Sequence, residues 1–292
     1  MYSGTIFGLD FNINPVAFTI PIGSGWSVYW YGIIIACGFL AAIIYGFANA
    51  KKLNLNVDHM IDVILVTTPV AILCARAYYI IFDGEKLNSI SDFFGFSGSG
   101  FSGLAIYGGV IGAFACGFVM CKIKKVNVPD MFDIAAAGFI LAQGIGRWGN
   151  FFNQEAYGTF TGSEWWGMTS NRIAAEMGST KLVHPCFLYE SVWCILGFVV
   201  LHYIIKNRKF SGQVVLSYGV IYGLERGFLE LIRTDSLMLG NIKISSLLSF
   251  VLCIACTVVL TIIFAKNKKE NTYTPMFSEE IVKEEENNDQ NN

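Results

Sequence analysis

Gly146-Arg147-Trp148-Gly149-Asn150-Phe151-Phe152-Asn153-Gln154-Glu155-Ala156-Tyr157-Gly158 gathers a guanidinium, amides, a carboxylate and a phenol at the end of a hydrophobic run that starts near Met131. An arginine at a bilayer edge suits phosphate chemistry: its planar fork matches a phosphate, and it tolerates partial desolvation. The glycines allow a ligand or a neighbouring helix to approach the backbone closely. A second constellation is Tyr222, Arg226, Glu230 and Arg233, spaced four, four and three, which puts them on one helix face. Two arginines against one in-register glutamate leave excess positive charge, the mark of an anion site facing a cavity. The plain alternative is an Arg226–Glu230 pair that neutralises itself. Glu225 lies off that face and stands to cancel some of the charge. Gly219 and Gly223 lie near the face and invite close helix packing. Arginines 147, 226 and 233, accompanied by amides, phenols and glutamates, describe a site for a phosphate-bearing amphiphile entering sideways from lipid.

Weaker constellations surround these. Tyr107-Gly108-Gly109 with Gly112 sets a phenol beside a glycine face, and Trp30-Tyr31-Gly32 sits at a span end where an aromatic belt is equally expected. Arg76 reads as a structural, hydrogen-bonding arginine. His184-Pro185 precedes a span that opens with Tyr189 and Glu190; His184 titrates near neutrality, and a backbone-bonded histidine is the commoner arrangement. Cys253 and Cys256 have no second pair and no nearby histidine, so the thiols read as small packing groups.

The elements that must position these groups are membrane spans. Of 292 residues, 54% are hydrophobic and 14% charged, and the mean hydropathy of +0.52 excludes an ordinary soluble domain. The expected fold class is all-α polytopic, with seven transmembrane helices: Ser27–Ala50, Met60–Phe82, Gly103–Cys121, a short Met131–Ile145 running on toward Trp148, Pro185–Ile205, Val214–Ile232 and Ile244–Ala265. Lys51, Lys52, Lys122, Lys124, Lys125, Lys206, Arg208, Lys209, Lys266, Lys268 and Lys269 lie close to span ends on one side. Lys86, Arg147, Arg172, Lys181, Arg233 and Lys243 are spread over longer segments on the other. This asymmetry predicts the first side cytoplasmic, the N-terminus outside and the C-terminus inside. Residues 1–26 read as an extracytoplasmic arm without a cleavable signal peptide. Residues 27–265 form the membrane domain, with an extracytoplasmic head at 146–184. Residues 266–292 form a cytoplasmic tail, Glu- and Asn-rich from Lys268 and expected to be disordered. Leu87–Ser102 reads as a mobile outer loop.

Five of these motifs, in order, resemble the prolipoprotein diacylglyceryl transferase family. Residues 146–158 resemble its signature G-R-x-G-N-F-x-N-x-E-x-Y-G. Trp30-Tyr31-Gly32, Tyr107-Gly108-Gly109, His184-Pro185 with Leu188-Tyr189-Glu190, and Tyr222-Gly223 with Arg226, Glu230 and Arg233 resemble its other motifs. The resemblance runs from about residue 29 to 235. It implies a bacterial plasma-membrane enzyme, its active site facing the outer half of the bilayer. The enzyme would move diacylglyceryl from phosphatidylglycerol to the lipobox cysteine of a prolipoprotein, form a thioether and release glycerol phosphate, without metal or cofactor. The partners implied are phosphatidylglycerol, the prolipoprotein signal peptide with its lipobox, and membrane lipid, with no nucleic acid.

The resemblance further implies catalytic roles for Arg147, Arg226, Glu230 and Tyr107. It implies substrate contacts from Arg147, Asn150, Asn153, Glu155, Gly158, Tyr31, Tyr222, Arg233 and His184. An electropositive site suits the reaction, because it lowers a thiol pKa from ~8.5 and stabilises charge on the departing phosphate. Three positions depart from the pattern: Tyr107 where many members carry a histidine considered a base, Phe187 for a glutamine, and Gly227 for an aromatic. A phenol, with reference pKa ~10, makes a poor base. The other classes are a transporter or flippase of an anionic lipid, which needs polar residues through the cytoplasmic halves, and a seven-helix receptor, which needs a retinal lysine or coupling loops. No internal repeat supports the former.

Overall fold

The computed structural model describes residues 1–21, 26–83, 93, 103–234, 238–239 and 242–269. Of the expected outer loop Leu87–Ser102, only Phe93 is among them, and the tail beyond Lys269 lies outside them.

Among the described residues the chain is mostly helical. The long helices are α1 (Trp30–Asn49), α2 (Val57–Asp83), α3 (Ile106–Ile123), α4 (Val128–Asn153), α6 (Cys186–Lys206), α7 (Gln213–Ile232) and α8 (Ile244–Lys269); α5 (Asn171–Met177) is short. Six are long and apolar enough to cross a membrane: α1 with the turn after it, α2, α3, α4, α6 and α8. The seventh expected span, α7, is present as a 20-residue helix, about 30 Å long. It falls short of that apolar standard because it carries Glu225, Arg226 and Glu230. Helix α4 runs on past Ile145 toward Trp148, as expected, and continues to Asn153, so residues 146–153 form its last two turns.

The all-α expectation needs one amendment. Short strands β1 (Tyr2–Ile6), β2 (Leu9–Ile13), β3 (Val16–Ile20) and β4 (Trp26–Tyr29) occupy the N-terminal arm. β5 (Met168–Ser170) lies in the head, and β6 (Met238–Leu239) pairs with β7 (Ile242–Lys243) before α8. The β1–β2 hairpin turns on Phe7 and Gly8, both at positive φ, the twist that suits a two-residue turn. β1 then pairs antiparallel with β5, with Gly4 opposite Ser170. Arm and head therefore share one sheet, in the order β2-β1-β5.

The chain divides into two compact units, residues 50–131 and the remainder. In the smaller, α2 packs on α3, and Arg76, which is buried, donates to the carbonyls of Phe93 (3.2 Å) and Gly103 (3.3 Å). This is the structural role expected of it. Tyr107 belongs to this unit and is exposed.

In the larger unit, α8 packs along α7 at the expected glycines. A Cβ on Gly223 would come within 2.8 Å of the Ser249 carbonyl, and one on Gly219 within 2.5 Å of Cys256 Sγ. Gly227 accommodates the Phe250 ring in the same way, so an aromatic on α8 fills the space at a position where the family commonly places one on α7. The head has its own core of Tyr157, Met168, Ile173, Val183 and Phe187. Phe187, in place of the usual glutamine, packs 5.2 Å from Phe151 and 5.6 Å from Trp148, centroid to centroid.

Candidate active site

Arg147 near the end of α4, Glu190 in the first turns of α6, and Arg226 and Glu230 on α7 converge, with Arg233 just beyond α7. Glu190 is the hub. Its Oε2 pairs with Arg147 Nη2, and its Oε1 lies 3.3 Å from Arg226 Nη1 and 3.1 Å from Arg233 Nη1. Arg226 also pairs with Glu230, Nη2 to Oε2 at 2.6 Å. Glu190 is fully buried and Glu230 nearly so, whereas the Arg147 and Arg226 side chains keep 19% exposure. The carboxylates form the floor and the guanidiniums keep an open side.

The helix-face argument for Arg226 and Glu230 therefore holds, but they are not a self-sufficient pair, because Arg226 is shared with α6. Glu190 carried no site role in the sequence reading. Its position on a helix start beside Tyr189 was the available signal, and only the tertiary meeting of three helices makes it central. Tyr222 lies within electrostatic range of Arg147, Glu190 and Arg226. Glu225, expected off the arginine face, is buried with 7% exposure and lies within electrostatic range of Arg147, Glu190, Arg226 and Arg233.

The remaining signature residues build the rim. Asn150 and Asn153 both donate to Glu155 Oε1, at 3.0 and 3.2 Å. Glu155 is in charge contact with Tyr31, as is Arg147, and the Tyr31 ring lies against Gly149. Gly158 is pinned by its N–H to the His184 carbonyl (2.9 Å). It pairs across to Arg233, and a Cβ there would strike Cys186, His184 and Ile232, each at 2.9 Å. Only glycine lets the strand after α4 lie this close to the end of α7.

The His184 ring meets the Tyr189 hydroxyl at 3.2 Å, which also accepts from Trp166 Nε1 at 2.8 Å. The backbone N–H of His184 donates to the Thr159 carbonyl at 3.0 Å, and burial lowers the ring's pKa below the usual 6.5.

Two supporting residues went unassigned in the sequence reading. Lys243 Nζ donates to the carbonyls of Glu230 (2.7 Å), Leu231 (3.1 Å) and Arg233 (2.8 Å). It satisfies the open carbonyl end of α7 and opposes its dipole. Arg172 of α5 reaches the Asn153 carbonyl (2.6 Å), Tyr2 Oη (3.2 Å) and Glu176 (2.9 Å), tying arm, head and the end of α4. The Tyr157 hydroxyl, donating at 2.5 Å, and then Arg172 hold the Glu176 carboxyl below its ordinary pKa.

Tyr107 lies in the smaller unit. All eight cysteines are free, and among the described residues no cluster of histidine, cysteine and carboxylate side chains could hold a metal ion.

Chemically, the site is a fixed array of three guanidiniums oriented by buried carboxylates. Such an array suits a phosphate, whose oxygens match the guanidinium fork, and its positive charge also favours a neighbouring thiolate over the thiol.

The sequence profile described as prolipoprotein diacylglyceryl transferase matches residues 15–262. The phosphatidylglycerol--prolipoprotein diacylglyceryl transferase 1 of Clostridium perfringens is 44% identical over 261 residues, 88% of this chain and 97% of the relative. The phosphatidylglycerol--prolipoprotein diacylglyceryl transferase of Finegoldia magna is 41% identical over 87% of this chain and 97% of its own. That of Clostridioides difficile is 38% identical over 88% and 98%. On this agreement along nearly the full length of each relative, the chain belongs to the prolipoprotein diacylglyceryl transferase family.

Proposed function

We propose that this chain transfers the diacylglyceryl group of phosphatidylglycerol to the lipobox cysteine thiol of prolipoproteins, forming a thioether and releasing glycerol phosphate. The observation that carries the reading is the convergence of Arg147, Arg226 and Arg233 on Glu190. A phosphodiester at carbon leaves as a phosphate with one more negative charge, and a preformed guanidinium array stabilises that charge as it develops. In this reading Arg147 holds the lipid headgroup, and Arg226 lies at the reacting phosphate or thiolate with Arg233 behind it. Glu230 and Tyr222 orient Arg226, and Glu190 holds all three guanidiniums in place before substrate arrives. Asn150, Asn153, Glu155, Tyr31 and Gly158 shape the rim, and His184 completes the substrate contacts.

The seven helices span a bacterial plasma membrane with the N-terminus outside, so that the site faces the outer half of the bilayer and both lipid and signal peptide reach it sideways. Helix α7 tolerates its charges because Arg226 and Glu230 are paired and Glu225 and Glu230 are buried within the protein rather than facing lipid.

The test is incubation of the purified protein, in phosphatidylglycerol vesicles, with a lipobox peptide. The diacylglyceryl mass should appear on the cysteine. Movement of labelled lipid between leaflets without peptide modification would instead make the protein a flippase. A cysteine introduced at Ser179, in the head, should react with an impermeant reagent from outside, and labelling only after permeabilisation would invert the topology.

A further inference from the structure

We propose that Glu225 is a further catalytic residue of this chain, taking the proton of the substrate thiol. The inference rests on the transferase reading above.

Glu225 differs from the other buried carboxylates of the larger unit. Glu190 and Glu230 each face a guanidinium, and Asp133 pairs with Arg208. Glu225 is 7% exposed, and neither of its oxygens has a hydrogen-bond partner among the described residues. An ionised carboxylate without a donor costs several kcal/mol in such surroundings, and accepting a proton removes that cost.

Its flank of α7 is the one that meets α4. Tyr218, two turns earlier on the same side, stacks edge-on to Phe139 of α4 at 6.0 Å and donates to Gln143 Oε1 at 3.2 Å. Arg147 lies one turn beyond Gln143. The charged and titratable groups around Glu225 are Arg147 of α4, Glu190 and Cys194 of α6, Tyr218, Tyr222 and Arg226 of α7 itself, and Arg233. Helix α8, on the other side of α7, contributes no ionised side chain between Ile244 and Ala265. The carboxylate thus stands where the phosphate-holding arginines gather.

The charge count explains why a proton acceptor belongs there. Arg147, Arg226 and Arg233 are balanced by Glu190, Glu225 and Glu230, and a phosphodiester adds one negative charge. A thiolate formed in the same site adds another unless its proton stays nearby.

In the proposed step the S–H proton moves to a Glu225 carboxylate oxygen. The sulfur electron pair forms the S–C bond to the terminal glyceryl carbon. The C–O bond to phosphate breaks, with its electron pair leaving on the phosphate oxygen. The proton then passes from Glu225 to the glycerol phosphate or to water, and the carboxylate is regenerated.

The experiment uses the full chain in phosphatidylglycerol vesicles, with lipobox peptides carrying either cysteine or selenocysteine. A selenol ionises near neutrality without help. Glu225→Gln should lose about 100-fold in turnover with the cysteine peptide and stay within about twofold of wild type in KM for phosphatidylglycerol. Its residual rate should rise about tenfold per pH unit toward the free thiol pKa of ~8.5. With the selenocysteine peptide it should come within about fivefold of wild type. Glu225→Asp, which keeps a carboxylate, should keep the wild-type preference between the two peptides. Equal losses of Glu225→Gln on both peptides, or no loss on cysteine, would overturn the proposal. If wild type modified neither peptide, the transferase reading itself would fail, a separate outcome.

Discussion

At the Gln213 end of α7, Asp133 accepts from Arg208 Nη1 at 2.6 Å, from the Gly212 N–H at 2.9 Å and from the Val215 N–H at 2.9 Å. Both partners are almost completely buried. At the Ile232 end, three arginines share Glu190, two of them keep an open side, and Glu225 has no donor. The residue types are the same, and the difference lies in satisfaction. There one carboxylate uses both of its oxygens on one guanidinium and the free N–H groups of a helix start. Guanidiniums crowded on a shared carboxylate retain capacity for an anion. A buried ion pair therefore says little about function until its unused valences are counted.

The widest separation between the two ends comes from single truncations. Arg147→Ala should reduce transfer about 30- to 1,000-fold, roughly 2–4 kcal/mol, with little change in thermal melting, because Glu190 keeps Arg226 and Arg233. Arg147→Lys should recover little of it, since a point charge lacks the planar fork. Asp133→Ala should do the reverse. It should destabilise by about 3–5 kcal/mol, leaving a buried guanidinium unpaired, while turnover per folded molecule persists. Melting curves and peptide mass measured on both variants decide. Loss of turnover in Asp133→Ala at unchanged melting would erase the contrast.

Double substitutions sharpen it further. Asp133→Leu with Arg208→Leu should be more stable than Asp133→Leu alone, as closed pairs allow, although the Gly212 and Val215 N–H groups stay uncapped. Arg226→Leu with Glu230→Leu should be as inactive as Arg226→Leu alone. Recovered activity in the second double would make that pair structural and move the chemistry to Arg147 and its neighbours.

The smallest effect concerns the rim. Burial keeps His184 neutral in the folded chain, so between its usual 6.5 and its lower folded value the unfolded chain binds more protons. Stability is lost as pH falls through that window and is unaffected above about 7. Melting from pH 7.5 to 5.0 should be flatter for His184→Gln than for wild type. Glu176, whose pKa is lowered from 4.5, gives way only at more acid pH and does not confuse the comparison. An unchanged slope would mean that His184 is not held neutral.

What could be read from the chain follows the range of the interactions. Arg226 and Glu230 are one turn apart, and local periodicity places them together. The role of Glu190 depends on α4, α6 and α7 meeting, which no spacing within any of them encodes. The run from Met131 leads on toward Trp148, and the helix continues beyond it to Asn153. In the fold, Asn150 and Asn153 spend their amides on Glu155, and the last turns are held by Trp148 Nε1 on Ser191 (3.1 Å) and by Arg172 on the Asn153 carbonyl. The joining of arm and head is illegible for the same reason: β1 finds its second partner at residues 168–170.

That pairing sets a timetable for synthesis. Gly4 leaves the ribosome long before Ser170, its opposite number. At about 5–20 residues per second, the β1–β2 hairpin waits roughly ten to thirty seconds for its third strand while the helices between are being made. During that interval one backbone edge of the first strand is open to other chains. The first strand is thus made well before the partner that completes its sheet, and its sheet closes only partway through synthesis.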